Sequence, residues 1–448
     1  MYVRFWGTRG SIAAPGPQTS HYGGNTSCVE VRPEDRTLII LDCGTGAREL
    51  GLHLLRCEER PLRLHLLISH THWDHIQGFP FFDPAFLPDT ELHLYAPRDF
   101  RHSLEEALAG QMQYSYFPVK LADLRSRIHY TELEEGFFGV GNVRVETQYL
   151  NHTAPTLAYR LTSGGTTLAY ITDHEPFWNP TDRSFHHPGD QRHIEFLKGA
   201  DLIIHDAQYT HDEYCGKIGW GHSTVEYATD AALAAGAARL ALFHHDPSHD
   251  DLSIKCIEEG AQHRVAAHDG TLEVFAAAEG LALQVHGRGL TRAATEASAL
   301  QRHSITGGRV MIVSADELQA ASLARVLGED DLMLTRMLDS RMALALAPTT
   351  APDLVIINQR LPDGDGASLM RSLRAQLGRR NLPVILLTDG ADSDVLAGDE
   401  PAAATDYLAK PVSLPMLRTR VRAWLVRILT QPAIRSHRQL RRPKRAQS

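Results

Sequence analysis

Cysteine is scarce in this chain, and long apolar runs are absent from it. Five cysteines occur among 448 residues and none belongs to a CxxC pair, so neither a disulfide framework nor a cysteine zinc knuckle is indicated. No apolar run approaches the roughly 18–20 residues that span a bilayer. The first residues lack a basic start followed by an apolar stretch, so we expect no signal peptide, no membrane partner and a reduced, cytoplasmic compartment.

Excess positive charge is also missing. The formal net charge is -9, which argues against the phosphate neutralisation on which nucleic-acid binding depends. Hydrophobic residues make up 43% of the chain, which is typical of a globular protein, and 448 residues are too many for one core. Histidine, by contrast, is abundant: most of the 25 histidines fall within residues 53–268. We therefore expect imidazole chemistry in the first half of the chain.

Hydrophobic patterning divides the chain into two α/β units. Residues 1–280 alternate short β-rich segments with loops and helices, and residues 281–307 form a polar, Ala-rich stretch that we interpret as a linker. Strand–helix alternation restarts over residues 308–430, with the short, fully apolar strands of a buried parallel sheet. The basic residues 431–448 are expected to form a solvated, disordered tail, the alternative being a nucleic-acid or partner contact.

Several strands and one helix of the first unit can be placed by their composition and flanking turn residues. The predicted strands are Thr37–Asp42, Leu62–Ser69, Val143–Leu150, Thr166–Thr172, Asp201–His205 and Arg239–Phe243. The predicted helix is Ser223–Ala235, with Ser223 as its N-cap, Glu226 completing a capping box and Gly236 closing its C-terminus.

The densest group of candidate metal ligands follows the predicted strand that ends near Ile68. It reads Ser69-His70-Thr71-His72-Trp73-Asp74-His75. Three imidazoles and a carboxylate this close together suit Zn²⁺, and also Mn²⁺ or Fe²⁺. A His-rich polar loop that holds no metal is the alternative. Further histidines and carboxylates at the ends of later predicted strands favour the metal site.

An HxHxDH segment after a strand resembles the metallo-β-lactamase superfamily, whose fold is an αββα sandwich. The resemblance implies a later His, Asp and His as further ligands, which match His152, Asp173 and either His244 or His245, with His244 preferred because it lies closer to the strand end. The resemblance therefore implies two divalent metal ions, with Zn²⁺ as the expected metal. The implied ligand set is His70, His72 and His152 for one ion, Asp74, His75 and His244 for the other, and Asp173 between both. Asp42, at another predicted strand end, is a candidate for orienting one ligand imidazole.

Four further segments resemble the phosphodiesterase branch of that superfamily, which includes tRNA 3′-end-processing endonucleases and bacterial cyclic-phosphate phosphodiesterases. They are Gly7–Ser11, Gly23–Ser27, Leu202–Ala207 and Gly221–Thr224. The resemblance implies that His222, paired with Asp206, faces the leaving group as a general acid. The branch usually has Glu where this chain has Asp206. The candidate catalytic residues are therefore Asp74, His222 and Asp206, and Arg9 is a candidate phosphate contact or a surface ion pair.

The length of one segment distinguishes members of the branch. The tRNA-processing enzymes carry a long RNA-binding arm between the third His and the bridging Asp, whereas Asp173 lies 21 positions after His152, which leaves room only for a hairpin. We therefore predict a phosphodiesterase with two metal ions that hydrolyses a cyclic nucleotide or similar small phosphodiester, and we do not expect a nucleic-acid partner. The alternatives are an RNA-processing endonuclease and a non-catalytic metal sensor or docking protein.

Residues 309–429 resemble a response-regulator receiver, an α/β domain of flavodoxin-like (βα)5 topology. The matching segments are Val310–Val313, Pro352–Gly366, Leu387–Thr388 and Asp406–Pro411. Receivers are phosphorylated on an Asp at the end of the third strand, where this chain has Asn358, and their Mg²⁺-binding acidic pair is replaced by Ser314 and Ala315. Thr388 and Lys410 are retained. We predict a non-phosphorylatable domain that docks a protein partner or self-associates; an unrelated α/β module is the alternative.

Overall fold

The computed structural model describes residues 1–98, 102–177, 185–268, 270–288, 307–389 and 404–430. Most of the predicted linker (289–306) and the predicted tail (431–448) lie outside these ranges. Within them, no helix combines the length and the apolar character that a membrane crossing requires.

The first unit is a sandwich of two seven-stranded sheets, ordered β14-β1-β2-β3-β4-β5-β6 and β13-β12-β11-β10-β9-β8-β7. Its strands are β1 Tyr2–Gly7, β2 Cys28–Arg32, β3 Leu38–Leu41, β4 Leu62–Leu67, β5 Thr90–Pro97, β6 Arg127–Leu133, β7 Gly136–Val140, β8 Val143–Tyr149, β9 Leu157–Ser163, β10 Thr166–Ile171, β11 Leu202–Asp206, β12 Arg239–Phe243, β13 Glu273–Ala276 and β14 Ala282–Gln284. Its α-helices are α1 Ala47–Cys57, α2 Trp73–Ile76, α3 Leu104–Gln111, α4 Pro188–Leu197, α5 His211–Tyr214, α6 Val225–Ala234 and α7 Asp251–Ala266.

Three apolar layers hold this unit together. The inner faces of the two sheets meet in one core cluster, in which Phe5 packs near Phe243. The outer face of the first sheet is covered by α1 through Leu50 and Leu54. The outer face of the second sheet is covered by α4, α6 and α7. Because each sheet buries both faces, helices lie outside and sheets inside, and the predicted αββα sandwich is confirmed.

The predicted strands of the first unit all form, with ends that differ by no more than two residues. The helix predicted over Ser223–Ala235 spans Val225–Ala234 instead. Its N-cap is Thr224, whose side chain accepts a hydrogen bond from the backbone N–H of Tyr227, and no capping box with Glu226 forms. The prediction of Ser223 as N-cap is wrong because its hydroxyl donates to a backbone carbonyl elsewhere.

The segment interpreted as a linker begins inside the first unit. Ala282–Gln284 forms β14, which pairs antiparallel with β1. The buried N-terminal amino group of Met1 donates to the carbonyl of Val285 at 2.9 Å. Folded structure thus extends beyond the boundary drawn at residue 280.

The second unit is a parallel sheet ordered β16-β15-β17-β20-β21, with helices on both faces. Its strands are β15 Arg309–Val313, β16 Met333–Met337, β17 Leu354–Asn358, β18 Arg360–Leu361, β19 Gly364–Asp365, β20 Val384–Thr388 and β21 Asp406–Ala409, where β18 and β19 form a separate small hairpin. Its helices are α8 Glu317–Gly328, α9 Ser340–Thr350, α10 Gly366–Gln376 and α11 Leu414–Thr430. The predicted flavodoxin-like topology is confirmed. Helix α11 also packs against the first unit, and its Ala423 joins the core cluster between the two sheets.

Candidate metal centre

The predicted ligands converge because each follows the end of a strand in the sandwich. Two of these strand ends, and the end of β3, carry a non-glycine residue with left-handed backbone: Asp173 (φ 51°), His244 (φ 61°) and Asp42 (φ 58°). Such conformations cost on the order of 1–3 kcal/mol each and persist where the surroundings enforce them. Each turn directs a polar side chain into the same space at the edge of the two sheets.

Asp173 lies between two groups of imidazoles. Its Oδ2 is 3.5 Å from His70 Nε2 and 3.6 Å from His152 Nε2. Its Oδ1 is 3.2 Å from His75 Nε2 and 3.2 Å from His244 Nε2. One carboxylate thus offers a different oxygen to each group, which is the arrangement of a bridging ligand.

The remaining predicted ligands complete these two groups. His72 Nδ1 is 3.2 Å from His152 Nε2, on the side of Asp173 Oδ2. Asp74 Oδ2 is 3.2 Å from His75 Nε2 and 3.1 Å from His244 Nε2, on the other side. The structure therefore brings together the sets His70, His72, His152, Asp173 and Asp74, His75, Asp173, His244.

The chemistry of this donor set fits divalent cations. The Nε2 atoms of His70 and His75 are buried and have no hydrogen-bond partner. Burial lowers the pKa of His152 to about 3 and that of His70 far below its usual value, which keeps both imidazoles neutral. Neutral imidazole nitrogens beside ionised carboxylates are the donors that Zn²⁺ and related ions prefer.

Neighbouring groups fix the orientation of the ligands. The Nδ1 of His75 donates to Asp42 Oδ2 at 2.8 Å, which is the contact that the role predicted for Asp42 requires. The Nδ1 of His152 donates to the carbonyl of Gly221 at 2.9 Å, and that of His244 to Gln208 Oε1 at 3.2 Å. Each of these three bonds leaves Nε2 directed at the cluster.

Two glycines of the phosphodiesterase-like segments are required by these ligands. A Cβ at Gly221, which has a φ of +93°, would lie 2.1 Å from Nδ1 of His152. A Cβ at Gly10 would lie 2.5 Å from Nδ1 of His244. Both glycines therefore make room for an imidazole, a role that the sequence did not reveal.

His222 and Asp206 form a buried pair beside the cluster. Nδ1 of His222 lies 3.0 Å from Oδ2 of Asp206 and 3.9 Å from Oδ2 of Asp173. Burial alone would lower the pKa of His222, but the carboxylate of Asp206, assisted by Asp173 and Asp74, outweighs it and raises the pKa to about 9. Such a residue holds a proton at neutral pH and can donate it to a leaving oxygen.

Two other sequence-based interpretations can be compared with the structure. His245 points away from the cluster, with its Nε2 bonded to the carbonyl of Ala277 at 2.9 Å, so the geometry favours His244. The suggestion that Arg9 contacts phosphate or forms a surface ion pair is wrong. Its guanidinium is buried and donates to the carbonyls of Gly23, Asp246 and His249.

A second group of metal-binding side chains, not noted from the sequence, lies on β5 and β6. Glu91 Oε1 is 3.4 Å from His93 Nε2 and 3.2 Å from His129 Nε2. Arg63 already donates twice to the other oxygen of Glu91, at 3.0 and 3.1 Å. Because this guanidinium balances the carboxylate, the group does not carry the charge excess that distinguishes the main cluster.

The receiver-like unit has a neutral group at the corresponding strand ends. Asn358 Nδ2 donates to Ser314 Oγ at 2.8 Å, and Lys410 Nζ donates to Asp389 Oδ1 at 2.8 Å. Asn358, Ser314 and Thr388 are all buried. The amide nitrogen and the hydroxyl are bonded to each other, whereas Asn358 Oδ1 is buried without a hydrogen-bond partner, and neither side chain carries a charge.

Sequence reasoning missed the surface beside the cluster. Trp73, between ligands His72 and Asp74, is 73% exposed, and Trp220, two residues before His222, is 57% exposed. Lys217 Nζ lies 4.1 Å from the ring of Trp220. The available signal was the position of each tryptophan in the chain, Trp73 next to two predicted ligands and Trp220 two residues before His222.

Comparisons with known proteins agree with this description. Residues 37–245 match the family "Beta-lactamase superfamily domain", and residues 310–422 match "Response regulator receiver domain". The chain therefore joins a domain of the β-lactamase superfamily to a response-regulator receiver domain.

Individual relatives match one domain or the other. Ribonuclease Z of Synechococcus sp. (strain CC9311) is 25% identical over 289 residues, which cover 55% of this chain and 88% of the relative. The transcriptional regulatory protein TcrA of Mycobacterium tuberculosis (strain ATCC 25618 / H37Rv) is 36% identical over 120 residues, 27% of this chain and 46% of the relative. The chain thus spans about half the length of that regulator. The structure of human tRNase Z, short form, is 20% identical to this chain. The match covers 64% of this chain and 100% of that chain, with a TM-score of 0.44.

Proposed function

We propose that the first domain is a phosphodiesterase that uses two metal ions, with Zn²⁺ as the expected metal, to hydrolyse a cyclic nucleotide or similar small phosphodiester. The observation that carries this proposal is the position of Asp173 between two imidazole groups, with the His222–Asp206 pair beside it. His70, His72 and His152 would hold one ion and Asp74, His75 and His244 the other, with Asp173 shared. When bound, two divalent ions supply Lewis-acid chemistry, lowering the pKa of water and neutralising phosphoryl charge.

The chain's own residues supply proton transfer and orientation. Asp206 accepts the Nδ1 proton of His222, which directs the Nε2 proton of His222 away from that carboxylate. The raised pKa of His222 keeps this second proton in place at neutral pH, ready for a departing alkoxide. The backbone N–H of Ser11 donates to Asp74 Oδ2 at 2.7 Å, which holds that carboxylate against His244. A metal sensor or docking protein has no need of a leaving-group acid.

The exposed indoles support a substrate with a planar ring. Trp73 and Trp220 adjoin residues of the cluster in the chain and offer faces on which a nucleobase can stack. Lys217, against the Trp220 ring, adds a cation at the same place. A nucleotide phosphodiester combines both features, namely a ring to stack and an anion for the metal centre.

RNA is a second candidate substrate, and one observation favours it. Ribonuclease Z matches the first domain over 88% of its own length. The short β9–β10 hairpin, Leu157–Ser163 and Thr166–Ile171, fills the chain between His152 and Asp173 and favours the smaller substrate. Both candidate substrates would be cleaved at the same metal centre, and they differ in the surrounding surface that would bind the rest of the substrate.

A turnover screen with metal-loaded, full-length protein distinguishes the two. The panel contains 2′,3′- and 3′,5′-cyclic nucleotides, bis(p-nitrophenyl) phosphate and a precursor tRNA. We expect turnover of at least one cyclic nucleotide, and its loss in Asp173→Ala. Cleavage of the precursor tRNA with no turnover of cyclic nucleotides would establish the nuclease instead. Binding of metal without turnover of any member would favour the sensor.

A further inference from the structure

One guanidinium of the receiver domain reaches the loops that carry the metal ligands. Arg420 of α11 is only 5% exposed. Its Nε donates to Asn151 Oδ1 at 2.9 Å, and its Nη2 donates to the carbonyl of Phe177 at 3.2 Å. Asn151 precedes His152 on the loop after β8, and Phe177 lies on the loop after β10, which also contains Asp173. A single side chain thus connects two ligand loops.

Asn151 passes this contact on to the rest of the centre. Its Nδ2 donates to the carbonyl of Glu175 at 2.9 Å. The carboxylate of Glu175 accepts the N–H of Gly221 at 2.7 Å, and the carbonyl of Gly221 accepts Nδ1 of His152 at 2.9 Å. The loops after β8 and β10 and the loop before α6 therefore form one hydrogen-bonded unit. Arg420 is bonded to two of these three loops from another domain.

The receiver holds this cation in place. Asp406, at the start of β21, accepts Nη1 of Arg420 at 2.8 Å and Nε1 of Trp424 at 3.0 Å. Burial would raise the pKa of Asp406, but Arg420 and His187 hold it well below its usual value. His187 Nε2, which belongs to the first domain, lies 3.2 Å from Asp406 Oδ1, so this contact crosses the domain boundary. A buried ion pair of this kind fixes geometry, because separating Arg420 from Asp406 would leave a buried charge without a partner.

We infer that Arg420 is a positioning residue for His152, and that the receiver is a permanently docked part of the metal centre rather than a phosphorylation-controlled switch. Its effect on turnover rests on the proposed phosphodiesterase function, whereas its effect on metal affinity does not. The neutral Asn358–Ser314 pair agrees with this role, because a domain that must stay docked has no use for a phosphate-driven change of shape.

Matched variants of α11 in the full-length chain test the inference. Arg420→Gln removes the guanidinium. Arg420→Lys keeps a cation for Asp406 but lacks the planar guanidinium that donates to both Asn151 and Phe177. Arg427→Gln breaks a different interdomain ion pair, with Glu135. Arg418→Gln breaks a pair with Asp330 inside the receiver. The measurements are Zn²⁺ affinity by competition with a chromophoric chelator, and the absorption spectrum of the Co²⁺-loaded protein.

We expect both Arg420 variants to bind Zn²⁺ more weakly, by roughly 10–100-fold for Arg420→Gln, and to alter the Co²⁺ spectrum. Arg427→Gln and Arg418→Gln should stay within about threefold of wild type. Asn151→Ala should weaken binding to a similar degree, and combining it with Arg420→Gln should add little. Wild-type affinity and spectrum in folded Arg420→Lys, or equal losses in Arg427→Gln and Arg420→Gln, would overturn the inference. Failure of the wild-type protein to bind Zn²⁺ would instead contradict the proposed function.

Discussion

Both domains place polar residues at the ends of parallel strands, but with opposite electrostatic outcomes. In the first domain, the adjacent strands β10, β11 and β12 lead into Asp173, Asp206 and His244. In the receiver, the adjacent strands β15, β17 and β20 lead into Ser314, Asn358 and Thr388. The carboxylates of the first domain need cations or protons to balance their charge, whereas the receiver groups are uncharged, with Asn358 bonded to Ser314 and Thr388 bonded to a backbone carbonyl. The difference teaches that the same topological position can be an ion site or a closed polar contact.

The largest effect is expected from removing a ligand in the first domain. His244→Ala should abolish turnover and lower the metal content from about two ions per chain to about one. His245→Ala is the control, since His245 bonds to a backbone carbonyl outside the cluster. Elemental analysis of the folded variants gives the metal content. Loss of metal from the His245 variant alone would reverse the assignment, and one ion or none in active wild-type protein would contradict a shared Asp173.

Removing the proton donor should have the next largest effect. His222→Ala should lower kcat by roughly 10²–10⁴ for an alkoxide leaving group and much less for nitrophenolate, which needs no proton. Metal content should not change. Equal losses on both substrates would show that His222 acts structurally or as a ligand.

The same pair predicts a pH dependence. Because the pKa of His222 is raised to about 9, the protonated acid is present through neutral pH and is lost as the pH rises past that value. The kcat for an alkoxide leaving group should therefore fall above about pH 9. Asp206→Asn removes the main carboxylate that raises this pKa, so the fall should move to lower pH. An unchanged profile in Asp206→Asn would contradict this origin of the shift.

A smaller effect is expected from crowding a ligand without removing it. Gly221→Ala places a Cβ 2.1 Å from Nδ1 of His152 and should weaken metal binding by roughly 10–100-fold. Gly219→Ala is the matched control, because Gly219 also has a positive φ (+86°) but its Cβ would meet only Ser413, at 3.6 Å. A chelator competition assay measures both. Similar losses in the two variants would attribute the effect to backbone strain rather than to His152.

Removing the exposed indole should affect substrate binding alone. Trp220→Ala should raise KM for a cyclic nucleotide by roughly 5–100-fold, the worth of one stacked base, with metal content unchanged. Ile218→Ala, an exposed apolar side chain in the same loop, should have no such effect. Equal KM values for wild type and Trp220→Ala would remove the structural support for a nucleobase.

No effect at all is expected from phosphodonors acting on the receiver. Acetyl phosphate should leave the mass of the protein and its hydrolase activity unchanged. Asn358→Asp alone should not restore phosphorylation, since Ser314 and Ala315 still replace the Mg²⁺-binding pair. A stable added phosphate that disappears on mutating Asp316 or Asp363 would show that a neighbouring carboxylate had taken the role, and would remove the contrast between the two domains.

The sequence predicted the parts of this molecule that depend on local pattern. Short apolar strands fixed both folds, and polar residues at strand ends meet because the sheet aligns those ends; this brought Asp42 to His75. The burial of particular arginines against distant segments could not be predicted. Arg9 was expected to contact phosphate or to form a surface ion pair, but its guanidinium is buried and donates to three backbone carbonyls, and no sequence pattern marked Arg420 as a contact between the domains. The burial of an arginine depends on which surface covers it, and a single sequence does not contain that surface.

The pairing of β14 with β1 has a consequence for the order in which the protein is completed during synthesis. The first sheet gains its edge strand only when residues 282–284 have left the ribosome, although β1 is made first. At a synthesis rate of about 5–20 residues per second, Arg420 follows Val285 by roughly 7–27 s. During that interval the nascent first domain has a closed sandwich but lacks the guanidinium that joins two of its ligand loops. A metal ion bound before Arg420 is synthesised would be held without the contacts that Arg420 makes to the two ligand loops, whereas a metal ion bound afterwards would be held with them.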